Sequence, residues 1–95
     1  MAHYVILGNF TEQGIENVKD APKRREDFRK AVEAAHGNLL LHLYTMGPHD
    51  FISIVELPSD EAVNGIILRS AALGNVRTIT LKAWTPDEFD KFVRP

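Results

Sequence analysis

The side chains able to do chemistry in this sequence are few: the imidazoles of His3, His36, His42 and His49, the hydroxyls of Ser53, Ser59 and Ser70, and an acid and a base, Asp50 and Arg77. A metal centre needs ligands that converge, and these histidines share no ligand spacing. His42 and His49 are separated along a strand and round a turn, and His36 closes a helix, where it can complement the helix dipole. The cysteine count is zero, which removes disulfides, thiolate nucleophiles and cysteine metal sites together. No metal and no cofactor are expected. None of the serines sits in a Gly-x-Ser-x-Gly elbow, and Gly8-Asn9 lacks the further glycines and the lysine of a phosphate loop.

What positions these groups is a hairpin. Met46-Gly47-Pro48-His49-Asp50-Phe51 is a tight reversal between two apolar runs, Leu39–Thr45 and Ile52–Leu57. With Met46 facing Phe51, the constant index sum of antiparallel partners puts Tyr44 opposite Ser53 and His42 opposite Val55. One face of the hairpin then reads His42, Tyr44, Met46, Phe51, Ser53, Val55. The other reads Leu39, Leu41, Leu43, Ile52, Ile54, a solid hydrophobic layer expected to lie under helices.

The remaining elements follow from periodicity. His3–Phe10 is aromatic and β-branched enough for a strand. Thr11 can cap a short helical turn, and Pro22 suits the first turn of a helix whose Phe28, Ala31, Val32 and Ala35 recur at helical spacing and which Gly37 ends. The basic cluster Lys23–Arg25 is followed at once by Glu26 and Asp27, and it reads as a solvated helix face rather than an anion site. Glu61–Leu73 forms a second helix stopped by Gly74-Asn75, Val76–Trp84 alternates as a strand, and Thr85-Pro86-Asp87-Glu88 is a capping box opening a last short helix. The order strand, helix, strand, strand, helix, strand predicts an α+β, ferredoxin-like βαββαβ domain over residues 1–95. It has a four-stranded antiparallel sheet, both main helices on one face and a short C-terminal helix.

Composition limits the partners. A hydrophobic share of 44% with 25% charged residues suits one soluble domain with one modest core. Eleven Lys and Arg against 13 Asp and Glu give a net charge of −2, which argues against a nucleic-acid surface. Residues 1–10 lack a basic region followed by a long apolar core, and no apolar run approaches the roughly 20 residues that span a bilayer. No membrane association and a cytoplasmic location are therefore expected.

Several stretches together resemble the GYD domain family: Tyr4-Val5-Ile6-Leu7-Gly8-Asn9-Phe10-Thr11, Gly14, Lys19-Asp20-Ala21-Pro22-Lys23-Arg24, Gly47-x-x-Asp50-Phe51, Val55-Glu56-x-Pro58-x-Asp60 and Gly74-Asn75-Val76-Arg77-Thr78. The resemblance spans nearly the whole chain. Gly47 and Asp50 of the hairpin that names the family are kept, and His49 stands where tyrosine is usual. The resemblance implies a small bacterial or archaeal domain of ferredoxin-like, dimeric α/β-barrel type, with no established reaction.

Two candidate sites follow. The hairpin face, continued by Thr78, Thr80, Lys82 and Trp84, is too apolar for water, so a second subunit is expected to stack its sheet there as a homodimer or higher homo-oligomer. His42, Tyr44, Ser53, Thr80, Lys82 and Trp84 would line the cavity between the sheets and hold a small organic ligand. An enzyme on the same frame, resembling cofactor-independent oxygenases or isomerases, would use His42 or His49 for proton transfer with Tyr44 or Lys82 orienting an oxygen. A purely structural assembly module would leave no cavity. The second candidate is a rim cluster of Asn9, His49, Asp50, Asn75 and Arg77, where Asp50 and Arg77 form a charge-assisted pair or Asp50 serves only its own turn.

Overall fold

A computed structural model describes residues 1–95. In chain order the elements are β1 (Ala2–Phe10), α1 (Glu12–Glu16), a 3-10 turn (Val18–Asp20), α2 (Ala21–Ala34), β2 (Asn38–Tyr44), β3 (Phe51–Leu57), α3 (Asp60–Ala72), β4 (Val76–Ala83) and α4 (Pro86–Val93). The strands form one antiparallel sheet in the order β2-β3-β1-β4, so the expected ferredoxin-like topology is present with β1 and β3 at the centre. No helix is long and apolar enough to cross a membrane.

The helix ends explain themselves locally. Thr11 accepts a hydrogen bond from the Gly14 amide at 3.1 Å, and Ser59 accepts one from the Ala62 amide at 3.2 Å. The Thr85–Glu88 capping box closes both ways, at 3.2 and 2.9 Å. α2 ends differently from the expectation. His36, not Gly37, takes the left-handed conformation at φ 66°, and the Gly37 amide reaches back to the Val32 carbonyl at 2.9 Å in a Schellman closure. Gly37 is needed for a close approach instead, since a Cβ there would lie 2.3 Å from the Glu56 carbonyl oxygen.

The hairpin register is a correction. Tyr44 pairs with Phe51 and His42 with Ser53, and a bulge between Leu39 and Leu41 then sets Leu39 opposite Val55. The loop lengthens to Thr45–Asp50 because β1 holds Asp50 from the other side: its amide donates to the Gly8 carbonyl at 2.8 Å and its carboxylate accepts from the Phe10 amide at 2.9 Å. Phe51 is thereby laid over Gly8, where a Cβ would come within 1.9 Å of its ring.

The face under the helices is the second correction. The core consists of Tyr4, Ile6, Val32, Val55, Leu57, Val63 and Ile66, so α2 and α3 cover the face carrying His42, Tyr44, Phe51, Ser53 and Val55. The open face carries the aliphatic layer. Cross-strand pairing arranges it in two rows, Leu41-Ile54-Val5-Leu81 and Leu43-Ile52-Leu7-Ile79. Both faces of the hairpin are apolar, so alternation could not rank them; the right-handed crossovers that carry each helix over the sheet make the choice. The expected stacking of a partner on Tyr44, Phe51 and Trp84 is therefore replaced: Phe51 is buried under the helices, and Trp84 meets Phe92 of α4 edge-on at 5.6 Å.

Candidate functional site

Small side chains leave space where larger ones would have met. Ala21 and Ala31 on α2, Ser70 on α3 and Ser53 on β3 line a pocket of about 260 Å³ between the two helices and the sheet. Ile6, Phe28, Phe51 and Ile66 make its apolar interior. His42 and Tyr44 form the β2 wall, Thr78 of β4 and Asn75 just before that strand form the opposite wall, and Arg24, Arg25 and Arg69 stand around it with Asp27.

His42 is the central polar group. Its Nδ1 lies 2.6 Å from Ser53 Oγ, its ring stacks on Phe51 at 5.5 Å, and Tyr44 meets it edge-on at 4.9 Å. Burial, with the Arg25 charge adding to it, pushes the imidazole below its ordinary value, so the ring is neutral at pH 7. Ser53 is 1% exposed and has no other hydrogen-bond partner, so its hydroxyl donates to Nδ1 and the ring proton resides on Nε2. That Nε2 is buried with no partner. Arg25 donates to the Tyr44 hydroxyl at 3.1 Å and lies 5.8 Å from the centre of its ring.

The first predicted set is thus divided. His42, Tyr44 and Ser53 come together at the pocket, but on the helix side of the sheet rather than its open side. Thr80 lies outside the pocket on the same side, next to Ile6 in the register. Lys82 pairs with Asp60 at 3.0 Å, and Asp60 also accepts from the Tyr4 hydroxyl. This ties β1 and β4 to the start of α3, and burial together with the bond to Asp60 pushes the Tyr4 phenol up to about 12. Trp84 packs on α4.

The rim set also divides. Asn9 Oδ1 meets His49 Nδ1 at 3.0 Å and Asn9 donates to the Pro48 carbonyl at 2.8 Å, so Asn9, His49 and Asp50 brace the hairpin against β1. Asp50 and Arg77 form no ion pair. Arg77 donates instead to the Val76 and Ala71 carbonyls at 2.9 and 3.3 Å, and Asn75 accepts from Gln13 at 3.0 Å beside the end of α3.

The sequence reading did not place the arginines at a pocket. Its basic cluster is split: Lys23 pairs with Asp27 at 3.0 Å, while Arg24 and Arg25 line the pocket. The signal was in the spacing, because Ala21, Arg24, Arg25 and Phe28 stand at i, i+3, i+4 and i+7, a stripe on which Ala21 is buried, Arg24 and Phe28 are half-buried and Arg25 is exposed.

The sequence is 30% identical over 84 residues to the glutamine synthetase and cystathionine beta-lyase binding protein of Thermus thermophilus, covering 87% of this chain and 88% of that one. Among solved structures, the feast or famine regulatory protein of M. tuberculosis complexed with L-methionine aligns over 90% of this chain with a TM-score of 0.67 at 16% identity. The chain spans about half the length of that regulator, 51%. The TTHA0845 protein, also of Thermus thermophilus, aligns with a TM-score of 0.56 at 20% identity, over 90% of this chain and 95% of that one. At these identities the two structures speak for the fold. The sequence pattern of the GYD domain matches residues 4–93, and with a relative of this similarity along nearly its whole length the chain belongs to the GYD domain family.

Proposed function

We propose that the protein is a small-ligand-binding module working as an assembly of like chains, with the ligand between α2, α3 and the sheet and a second copy on the open sheet face. The observation that carries the ligand site is the 260 Å³ pocket, whose wall holds a neutral imidazole with an unpartnered nitrogen. A buried donor without an acceptor costs about 1–3 kcal/mol, and a bound acceptor recovers it. Tyr44 covers the ring edge-on and is half exposed, so turning it aside opens the way to His42. The assembly rests on the two aliphatic rows, in which Leu43 and Ile79 stay 51% and 54% exposed in the single chain. Stacking two such faces about a two-fold axis hides both at once. α4 adds Phe89 and Phe92, which stay exposed even with Trp84 edge-on against Phe92.

Native mass spectrometry of the protein purified without denaturation tests both halves. The expected result is a dimer mass carrying a small retained molecule, or one that takes up small molecules in titration. A ligand-free dimer unresponsive to a broad metabolite panel overturns the ligand half, and a monomer at micromolar concentration overturns the assembly.

A second reading draws on the Thermus thermophilus relative, whose name records binding to two enzymes. The open aliphatic face would then receive another protein rather than a second copy. Light scattering of the purified chain alone separates the two, since only the first predicts a dimer without a partner.

A further inference from the structure

The charges around the pocket narrow the class of ligand. Arg24, Arg25 and Arg69 all line it, and none of the three guanidiniums is paired with a carboxylate anywhere in the chain. Asp27 is the one acidic group of the lining, and Lys23 already holds it at 3.0 Å. Arg24 gives two donors to the carbonyls of Asn17 and Gly14, at 3.0 and 3.5 Å, and Arg25 gives one to Tyr44. Each guanidinium carries five N–H donors, so most of them are free. An apolar interior beside several uncommitted guanidiniums is a site for an anion with an apolar body.

Acceptors for a cation are scarce at the same place. Four carbonyls at the end of α3 are engaged: Ser70 by the Leu73 amide, Ala71 by the Gly74 amide and Arg77, Leu73 by Gln13, and Gly74 by the Thr11 hydroxyl. An ammonium group would face three guanidiniums with no free carboxylate to offset them. Size is the last constraint. At about 30 Å³ per water, 260 Å³ holds roughly eight or nine waters, room for a benzyl or branched alkyl body but not a nucleotide.

We propose that the pocket takes a small monocarboxylic acid with an aromatic or branched apolar body and no ammonium group, its carboxylate received by Arg25 and Arg69 and its body by Phe28, Phe51 and Ile66. The proposal rests on the pocket being a ligand site and adds the ligand's chemistry. A guanidinium matches a carboxylate with two parallel N–H donors, which gives orientation as well as charge. The His42 Nε2–H is a further donor for an oxygen of the ligand once Tyr44 turns aside.

Three probes of one body size test this on the full chain: 3-phenylpropanoate, L-phenylalanine and 2-phenylethylamine. Thermal unfolding and titration calorimetry measure affinity, and amide NMR shifts locate the site. Expected is saturable binding of 3-phenylpropanoate at least tenfold tighter than of L-phenylalanine, no binding of the amine, and shifts centred on Ala31, Ser53 and Ile66. Arg25→Gln and Arg69→Gln, both changes at the pocket mouth, should each weaken the carboxylate at least tenfold. Binding of L-phenylalanine or the amine at these same amides, as tight as the carboxylate or tighter, overturns the class while leaving a ligand pocket standing. Absence of binding by all three overturns the class, and shifts confined to another surface overturn the class and the pocket together. Carboxylate binding unchanged in both arginine variants overturns the assignment of its recognition.

Discussion

Ser53 Oγ and His42 Nδ1 stand 2.6 Å apart across adjacent strands, and this single contact bears on which nitrogen carries the proton in the only histidine of the pocket. Because the serine hydroxyl has nowhere else to donate, the imidazole is held as the Nε2–H tautomer, and burial keeps it neutral.

Stability should therefore depend on pH through His42. Its folded pKa lies below the unfolded value of about 6.5, so below that value the unfolded chain binds a proton that the native ring refuses. Stability is whole above pH 6.5 and falls as pH drops toward the folded pKa. Urea midpoints across this range should lose that slope in His42→Gln, and an unchanged slope would show that other groups carry it. The ring nitrogens give a direct reading, since 15N shifts should report protonated Nε2 and bare Nδ1 at pH 7.

The open face separates assembly from an exposed surface. Leu43→Glu or Ile79→Glu should raise the dimer dissociation constant by at least about 100-fold, roughly 2.7 kcal/mol, as measured by light scattering over a concentration series. Against a solvent-facing sheet the same changes stay within about 0.5 kcal/mol and leave the mass untouched.

Two neighbouring residues after α2 should respond in opposite directions. His36 holds a left-handed φ of 66°, so His36→Gly should stabilise the chain by about 0.5–1 kcal/mol. Gly37→Ala sets a methyl 2.3 Å from the Glu56 carbonyl and should destabilise by about 1–3 kcal/mol. Denaturation midpoints check both, and a neutral Gly37→Ala would mean that β3 yields at this point.

Asp50 serves the hairpin, since its carboxylate accepts from the Phe10 amide and Arg77 points elsewhere. Asp50→Asn retains an acceptor and should be mild, while Asp50→Ala should cost about 1–2 kcal/mol. Combined with Arg77→Ala the losses should add within about 0.5 kcal/mol. A larger coupling in this double-mutant cycle would restore the ion pair that spacing alone suggested.

The order of the elements, most of their caps and the ferredoxin-like topology were legible in the sequence because each rests on local chemistry: Thr11 and Thr85 before helices, Gly74 after one, and clean alternation over Val76–Trp84. The choice of face was not legible. A period of two informs only through contrast, and Leu41, Leu43, Ile52 and Ile54 are as apolar as Phe51 and Val55 on the opposite side. Handed crossovers over the sheet, and the hold of β1 on Asp50 that lays Phe51 across Gly8, decided it. The same decision moved His42, Tyr44 and Ser53 from an open surface to a pocket wall. The pocket itself belongs to tertiary structure alone, because its volume is what remains where Ala21 and Ala31 of α2, Ser53 of β3 and Ser70 of α3 come to line one space.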